Sequence, residues 1–260
     1  MIRLAVSDLD GTLLTPERRL PENTFEIIRK LKEKGIVFGA ASGRQLQNLI
    51  DFFAPVADDI VIIAENGGLG WMRGELLFCN AVPPEKVEKT LQAVHGSEGL
   101  FPLLCAPDCA YYEDLKQPFE SYVNASYTHT AQADLRTVAK SVPICKIAVY
   151  DALGAEKNGI RVLPELLPDL RVIQSGMDWL DVSEKSVNKG AALSVVLKKL
   201  GISPDECMAF GDHMNDFEML QACGHPRVPE NAFYKMKEAF PHTIPSNKDY
   251  GVVRTLESLL

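Results

Sequence analysis

The chain opens on an apolar run, Ile2-Arg3-Leu4-Ala5-Val6, that breaks into the polar stretch Ser7-Asp8-Leu9-Asp10-Gly11-Thr12. A short run of branched residues closed by a turn signal reads as a strand buried on both faces, as in a parallel sheet. Pro21-Glu22 then opens a segment with Phe25, Ile28 and Leu31 on one face and Gly35 beyond its end. Apolar spacing of three to four, with proline at the start and glycine at the stop, predicts a helix. A second strand follows over 36–40, a second helix over 46–53 and a third strand over 60–63. Strand alternating with helix predicts a parallel sheet wrapped by helices.

Asn66-Gly67-Gly68 interrupts that rhythm, and residues 71–78 read as a hairpin off the sheet. From about 82 to 183 the texture changes. A helix is predicted over 85–94, and short β-like runs over 101–104, 110–112, 146–150, 170–173 and 179–182, with a helical candidate at 131–140. This is an α+β segment of antiparallel character set inside an α/β chain. The first texture resumes at Asn188, where Leu193, Val196, Leu197 and Leu200 form a helical stripe that stops at Gly201. A strand over 207–210 leads into Gly211-Asp212-His213-Met214-Asn215-Asp216, and helices are predicted over 217–222, 231–240 and 252–259. An insertion whose two ends both return to the sheet is expected to form a lid over the sheet's active edge, and lids gate water.

Composition narrows the classes. A chain of 260 residues, 46% hydrophobic and 24% charged, suits one or two globular domains with a real core. Lys plus Arg number 27 against 35 for Asp plus Glu, a net charge of -8, which argues against a nucleic-acid or anionic-membrane partner. No run approaches the ~20 apolar residues of a membrane span, and the first residues do not pair a basic with an apolar segment. The six cysteines are scattered, with only Cys105 and Cys109 close together, and are expected to be reduced, packed thiols. A cytoplasmic protein, monomeric or a small homo-oligomer, is the expectation.

Chemistry concentrates at the ends of the predicted strands. On an extended chain Asp8 and Asp10 point to one side and Leu9 to the other. Two carboxylates at that spacing repel unless a cation or a shared proton relieves them, and the carboxyl end of a parallel strand is where open α/β sheets bind ligands. Asp8 is the candidate nucleophile, ionised at neutral pH without a base. Hard oxygen ligands favour Mg²⁺, with Asp8, the Asp10 carbonyl and Asp212 as the protein's share of its shell. Asp10 is then free for acid–base work on the leaving oxygen and the attacking water. Asp216, one helical turn past Asp212, is placed to orient a metal-bound water or a neighbouring lysine; acids favoured by a helix start are the plainer account of both. Leu9, Ser42, Gly43, Lys189 and Asn215 are the expected phosphate contacts. Ser42-Gly43 and Asn215 are also ordinary helix caps. Lys189 sits at a helix start, the wrong end for a cation, which an anion between them explains; a solvent-exposed lysine, which costs little there, is the alternative. His213 alone of the histidines lies inside a motif, and Tyr111 and Tyr112 read as strand packing.

Taken in order, Asp8-Leu9-Asp10-Gly11-Thr12, Ser42-Gly43-Arg44, Asn188-Lys189-Gly190 and Gly211-Asp212-x-x-Asn215-Asp216 resemble the four motifs of the haloacid dehalogenase superfamily. An insertion between the second and third motifs is similar to the Cof-like branch of sugar-phosphate and cofactor-phosphate phosphatases. Lesser similarities run to the end of the chain: Glu65-Asn66-Gly67-Gly68, Ser175-Gly176, Asn231-Ala232 and Ser246 to Val252. The resemblance implies an α/β fold, a Rossmann-like core over 1–81 and 184–260 with a substrate-selecting α+β cap over 82–183. It implies Mg²⁺-dependent hydrolysis of a small phosphorylated metabolite through an aspartyl phosphate. Asp8 is then nucleophile and metal ligand, Asp10 acid/base with its carbonyl on the metal, and Asp212 a metal ligand. Ser42, Lys189 and Asn215 fall on the phosphoryl group, and Asp216 supports them. A phosphomutase, a sucrose- or trehalose-phosphate phosphatase, and a non-catalytic phosphometabolite sensor are the alternatives on the same core. His213, and Arg227-Val228-Pro229-Glu230-Asn231-Ala232 in place of the commoner Ala-Met-x-Asn-Ala, depart from the pattern and bear on substrate choice.

Overall fold

Burial explains why the first strand is central: all five residues of β1 (Leu4–Asp8) are buried. The computed structural model describes residues 1–114 and 119–260. β1 is followed by α1 (Thr24–Glu33), which buries Ile27, Ile28 and Leu31, and by β2 (Val37–Ala41), parallel to β1. Next come α2 (Leu46–Phe52) and β3 (Ile60–Ala64), parallel to β2. The expected hairpin is present as β4 (Leu69–Met72) and β5 (Glu75–Cys79), with β4 antiparallel to β3.

The inserted stretch carries α3 (Pro84–His95), β6 (Leu100–Cys105), β7 (Ala110–Tyr112), α4 (Phe119–Ser126), β8 (Thr130–Gln132), α5 (Leu135–Ser141), β9 (Lys146–Asp151), α6 (Gly159–Leu166), β10 (Leu170–Gln174) and β11 (Trp179–Glu184). Its strands form one six-stranded sheet in the order β10-β11-β9-β6-β7-β8, antiparallel except for the β7–β8 pair. One face buries Leu104, Ile147, Val149, Leu180 and Val182 with Val87 and Leu91 of α3 and Leu163 of α6. On the other, Phe119 stacks 5.4 Å from both Phe101 and Tyr150.

After the insertion the first sheet resumes with α7 (Lys189–Leu200), β12 (Cys207–Phe210), α8 (Phe217–Gln221), β13 (His225–Pro229), α9 (Tyr234–Ala239), β14 (Thr243–Ile244) and α10 (Gly251–Glu257). Its eight strands lie in the order β14-β13-β12-β1-β2-β3-β4-β5, and β12 is parallel to β1 on the side away from β2. A core of Leu4, Val6, Val61, Ile63, Leu193, Val196, Leu197 and Ala209 lies between α7 and this sheet. By contacts the chain forms two compact units: Met1–Gly43, Leu49–Phe78 and Asn188–Leu260; and Arg44–Asn48 with Cys79–Val187.

Three predicted elements differ. The helix expected over 131–140 is the edge strand β8 followed by α5, which starts only at Leu135 because Asp134 caps it by accepting the Thr137 N–H (2.7 Å). The helix expected over 231–240 begins at Tyr234, since the Asn231 side chain is engaged elsewhere, as described below. β1 stops at Asp8, so two-residue alternation does not carry on to Asp10. All six cysteines are free thiols. Among the described residues, no helix is long and apolar enough to cross a membrane.

Candidate active site

β1 sends its next connection to β2 on one side and is flanked by β12 on the other. The crevice past such a divergence is where open α/β sheets bind ligands. Asp8, the last residue of β1, sits there with its side chain nearly buried. The chain then turns sharply. Asp10 is extended (φ −75°, ψ 116°), Gly11 is left-handed (φ 87°), and the Leu14 N–H closes the turn on the Leu9 carbonyl (2.9 Å). A Cβ on Gly11 would stand 2.3 Å from Asp212 Oδ2, so only glycine lets this turn lie against the loop after β12. Thr12 Oγ1 donates to Asp212 Oδ1 (2.9 Å) across the same contact.

Lys189 is the first residue of α7, whose cap Asn188 accepts the Ala191 N–H (2.7 Å). The anion anticipated between this lysine and its helix is a pair of carboxylates. Lys189 Nζ donates to Asp8 Oδ1 and to Asp216 Oδ1, both at 2.6 Å. Lys189 and Asp216 are fully buried. The other oxygen of Asp216 accepts the N–H groups of Asp212 (3.1 Å) and His213 (3.3 Å). Asp216 therefore orients the neighbouring lysine and pins the loop that carries Asp212.

One oxygen from each of Asp8, Asp212 and Asp216 lies within 4.8 Å of the others. Burial, with Asp216 beside it and Lys189 working the other way, pushes the Asp8 carboxyl up to about 8 from an ordinary value of 3.8. The expectation that it is ionised at neutral pH unaided therefore fails for the protein groups alone, because burial disfavours the charged form. Burial and Asp216 also raise Asp212, against the hydrogen bond from Thr12. Burial alone would lower Lys189, but Asp216 and Asp8 hold it above the usual lysine value. Three carboxylates against a single ammonium make a site short of positive charge. Both Asp216 oxygens are hydrogen-bonded, whereas among the described residues no donor reaches the second oxygen of Asp8 or of Asp212. This hard, oxygen-only donor set suits Mg²⁺.

The remaining expected residues are placed less uniformly. Ser42 is buried just past β2, its N–H on the Ile63 carbonyl (2.9 Å) and its carbonyl accepting the Asn66 N–H (3.0 Å). Asn215 Nδ2 donates to Asn66 Oδ1 (3.4 Å). Asp10 is exposed. The Leu9 side chain is buried in the core, so only its backbone is left to face a ligand. His213 is exposed and lies 5.3 Å from the Phe233 ring.

Several residues here escaped the sequence reading. Asn231 Nδ2 donates to the Gly11 carbonyl (2.8 Å), and Asn231 Oδ1 accepts the Asn247 N–H (3.0 Å). Asn247 Nδ2 in turn reaches the Leu14 carbonyl (2.8 Å). The two asparagines tie down the Gly11 and Leu14 carbonyls in the middle and at the close of the turn; their only sequence signal was their place in the family-like Asn-Ala and Ser-Asn-Lys stretches. Glu65, Asn66 and Gly67 are all left-handed, at φ 52°, 53° and 102°. For glutamate that conformation costs roughly 1–2 kcal/mol.

Residues 5–256 match the family of haloacid dehalogenase-like hydrolases. The chain belongs to that family. Among curated relatives of this haloacid dehalogenase-like hydrolase, an "HMP-PP phosphatase" of Klebsiella pneumoniae is 32% identical over 248 residues, covering 93% of this chain and 89% of the relative. Another "HMP-PP phosphatase", from Cronobacter sakazakii, is 30% identical over 246 residues with the same coverage. A solved structure from Eubacterium rectale superposes with a TM-score of 0.89 at 26% identity, over 100% of this chain and 99% of that one. One from Thermotoga maritima gives 0.88 at 26% identity, over 99% and 97%. The α/β fold and the hydrolase class read from the ordered motifs therefore stand, and named relatives of this hydrolase are phosphatases.

Proposed function

We propose that the protein is a Mg²⁺-dependent phosphatase of small phosphate monoesters, with sugar phosphates and cofactor phosphates as the substrate class. The observation that carries this reading is the buried triad Asp8, Lys189 and Asp216 past the end of β1, joined by two 2.6 Å ion pairs, with the half-buried Asp212 beside it. Lys189 orients the Asp8 carboxylate, one oxygen of which attacks phosphorus in line and forms an aspartyl phosphate as the ester bond to the leaving alcohol breaks. The same ammonium shares the charge of the phosphoryl oxygens, and Ser42, Gly43 and Asn215 complete their binding. Asp10, exposed on its turn, protonates the leaving alcohol and later takes a proton from the water that releases phosphate. Asp8 and Asp212, with the Asp10 carbonyl, would hold Mg²⁺, which supplies the positive charge an anionic ester needs near three carboxylates. Phosphoryl transfer depends on positioning and electrostatic stabilisation more than on covalent chemistry, which suits a site so rigidly bonded. We read residues 82–183 as the cap that selects the leaving group.

The test is phosphate release from a panel of sugar phosphates, nucleotides, pyridoxal phosphate, flavin-related phosphates and HMP-PP, the last chosen because curated relatives are named for it. With Mg²⁺ present, at least one monoester should be hydrolysed; EDTA should stop release and added Mg²⁺ restore it. Release indifferent to EDTA, or no release from any member, would overturn the proposal.

A further inference from the structure

We propose that Asn66 is a positioning residue for phosphate binding, acting through Asn215 and Ser42; this rests on the phosphatase reading above. The starting point is the run of three left-handed residues at Glu65, Asn66 and Gly67, of which only the last is glycine. Side chains adopt that conformation rarely, and where it persists the surroundings hold it in place, most often at functional sites. Here the turn touches three of the segments that carry the expected phosphate contacts. The Asn66 N–H donates to the Ser42 carbonyl (3.0 Å). Asn66 Nδ2 lies 2.8 Å from where a Cβ on Gly43 would stand. Asn66 Oδ1 accepts from Asn215 Nδ2 (3.4 Å). Gly67 abuts the carbonyl of Asn188, the residue before Lys189, so closely that a Cβ would stand 2.3 Å from it.

The amide chemistry gives this contact a purpose. A primary amide nitrogen carries two N–H donors, and its oxygen only accepts. With one N–H of Asn215 engaged by Asn66 Oδ1, the other has a set direction and the Asn215 oxygen is turned away. Without that anchor the terminal torsion is broad and roughly two-fold, so Asn215 would part of the time present an acceptor to a phosphoryl anion. Asn66 thus fixes which end of Asn215 meets the ester while never touching the reacting atoms.

The experiment uses the full chain with Mg²⁺, an aryl phosphate as chromogenic substrate and inorganic phosphate as competing product. Asn66→Gly keeps the left-handed backbone and removes the amide. It should weaken phosphate inhibition by about tenfold, raise KM more than it lowers kcat, and leave Tm near the wild-type value. Asn215→Ala should give a similar loss, and the double variant should be no worse than Asn215→Ala alone, as expected of two residues acting as one unit. A role in folding only would lower Tm and leave phosphate inhibition unmoved. Unchanged inhibition in Asn66→Gly, or losses that multiply in the double variant, would overturn the inference. Should Asn66→Gly fail to fold, the same cycle on Asn66→Ala, which also lacks the amide, must show the same non-additivity. A wild-type chain that hydrolyses nothing sinks the phosphatase reading itself, whereas an active wild type with inhibition unchanged in Asn66→Gly sinks only the role of Asn66.

Discussion

Asp8→Asn is expected to lower turnover by at least ~10⁴-fold while the protein stays folded, because an amide cannot form the aspartyl phosphate. The substitution carries a second signature. In the folded chain the Asp8 carboxyl titrates at about 8, against an ordinary 3.8. Between those values the native state binds more protons than the unfolded state, so stability falls as pH rises from about 4 to 8. Removing the carboxyl removes its share of that fall. Urea unfolding of metal-free protein across this window should therefore show a shallower pH dependence in Asp8→Asn than in wild type. The slope does not vanish, since Asp212 is raised for similar reasons. Retained turnover would show that Asp8 is not the attacking group, and an unaltered pH dependence that its carboxyl is not raised by burial.

Lys189→Met is the other large effect, and it falls on stability and rate together. The ammonium is fully buried and is shared by Asp8 and Asp216 at 2.6 Å each. Breaking a buried pair by deleting one partner typically costs ~3–5 kcal/mol, since the remaining charge is left uncompensated. Two carboxylates are stranded here, so the upper end of that range is expected near pH 8. The Asp8 carboxyl would take up a proton more readily without Lys189, so part of the loss should be recovered as pH falls towards 5. Turnover should drop by ~10³-fold or more, by loss of a donor at the phosphoryl oxygens. Equal unfolding midpoints at pH 8 for the variant and wild type would contradict the burial argument.

The central sheet was legible because its physical signals are local. β1, β2, β3 and β12 are short, mainly apolar runs, each closed by a turn or helix start, and the α7 stripe from Leu193 to Leu200 ends at a left-handed Gly201. Other elements carried no such signal. α6 contains Pro164, a residue that argues against a helix, and β13 itself contains Pro226 and Pro229. Both form because the sheet and core around them supply what the local sequence does not. α4 and β8 are short and depend on long-range partners, Phe119 on the rings of Phe101 and Tyr150, β8 on its pairing with β7.

The chemical groups were legible for a different reason. Asp8, Asp212, Asp216 and Lys189 come in an ordered set whose parts make little sense alone, and a lysine at a helix start asks for an anion. What the sequence hid is the scaffolding that aims them. Nothing in the letters says that Asn231 leaves its helix to hold the Gly11 carbonyl, or that Thr12 reaches Asp212. Asn66-Gly67 hints at a left-handed turn, but Glu65 joins it only because the fold holds it there.

The most direct measurement is chemical trapping of the covalent state. Wild-type protein turning over its best monoester with Mg²⁺ would be quenched into borohydride, which reduces an acyl phosphate to the alcohol, and its peptides mapped by mass spectrometry. Homoserine at position 8, absent from Asp8→Asn and from enzyme quenched without substrate, is the predicted result. An unmodified aspartate at position 8 in enzyme that is visibly releasing phosphate, with homoserine at another position, would contradict it.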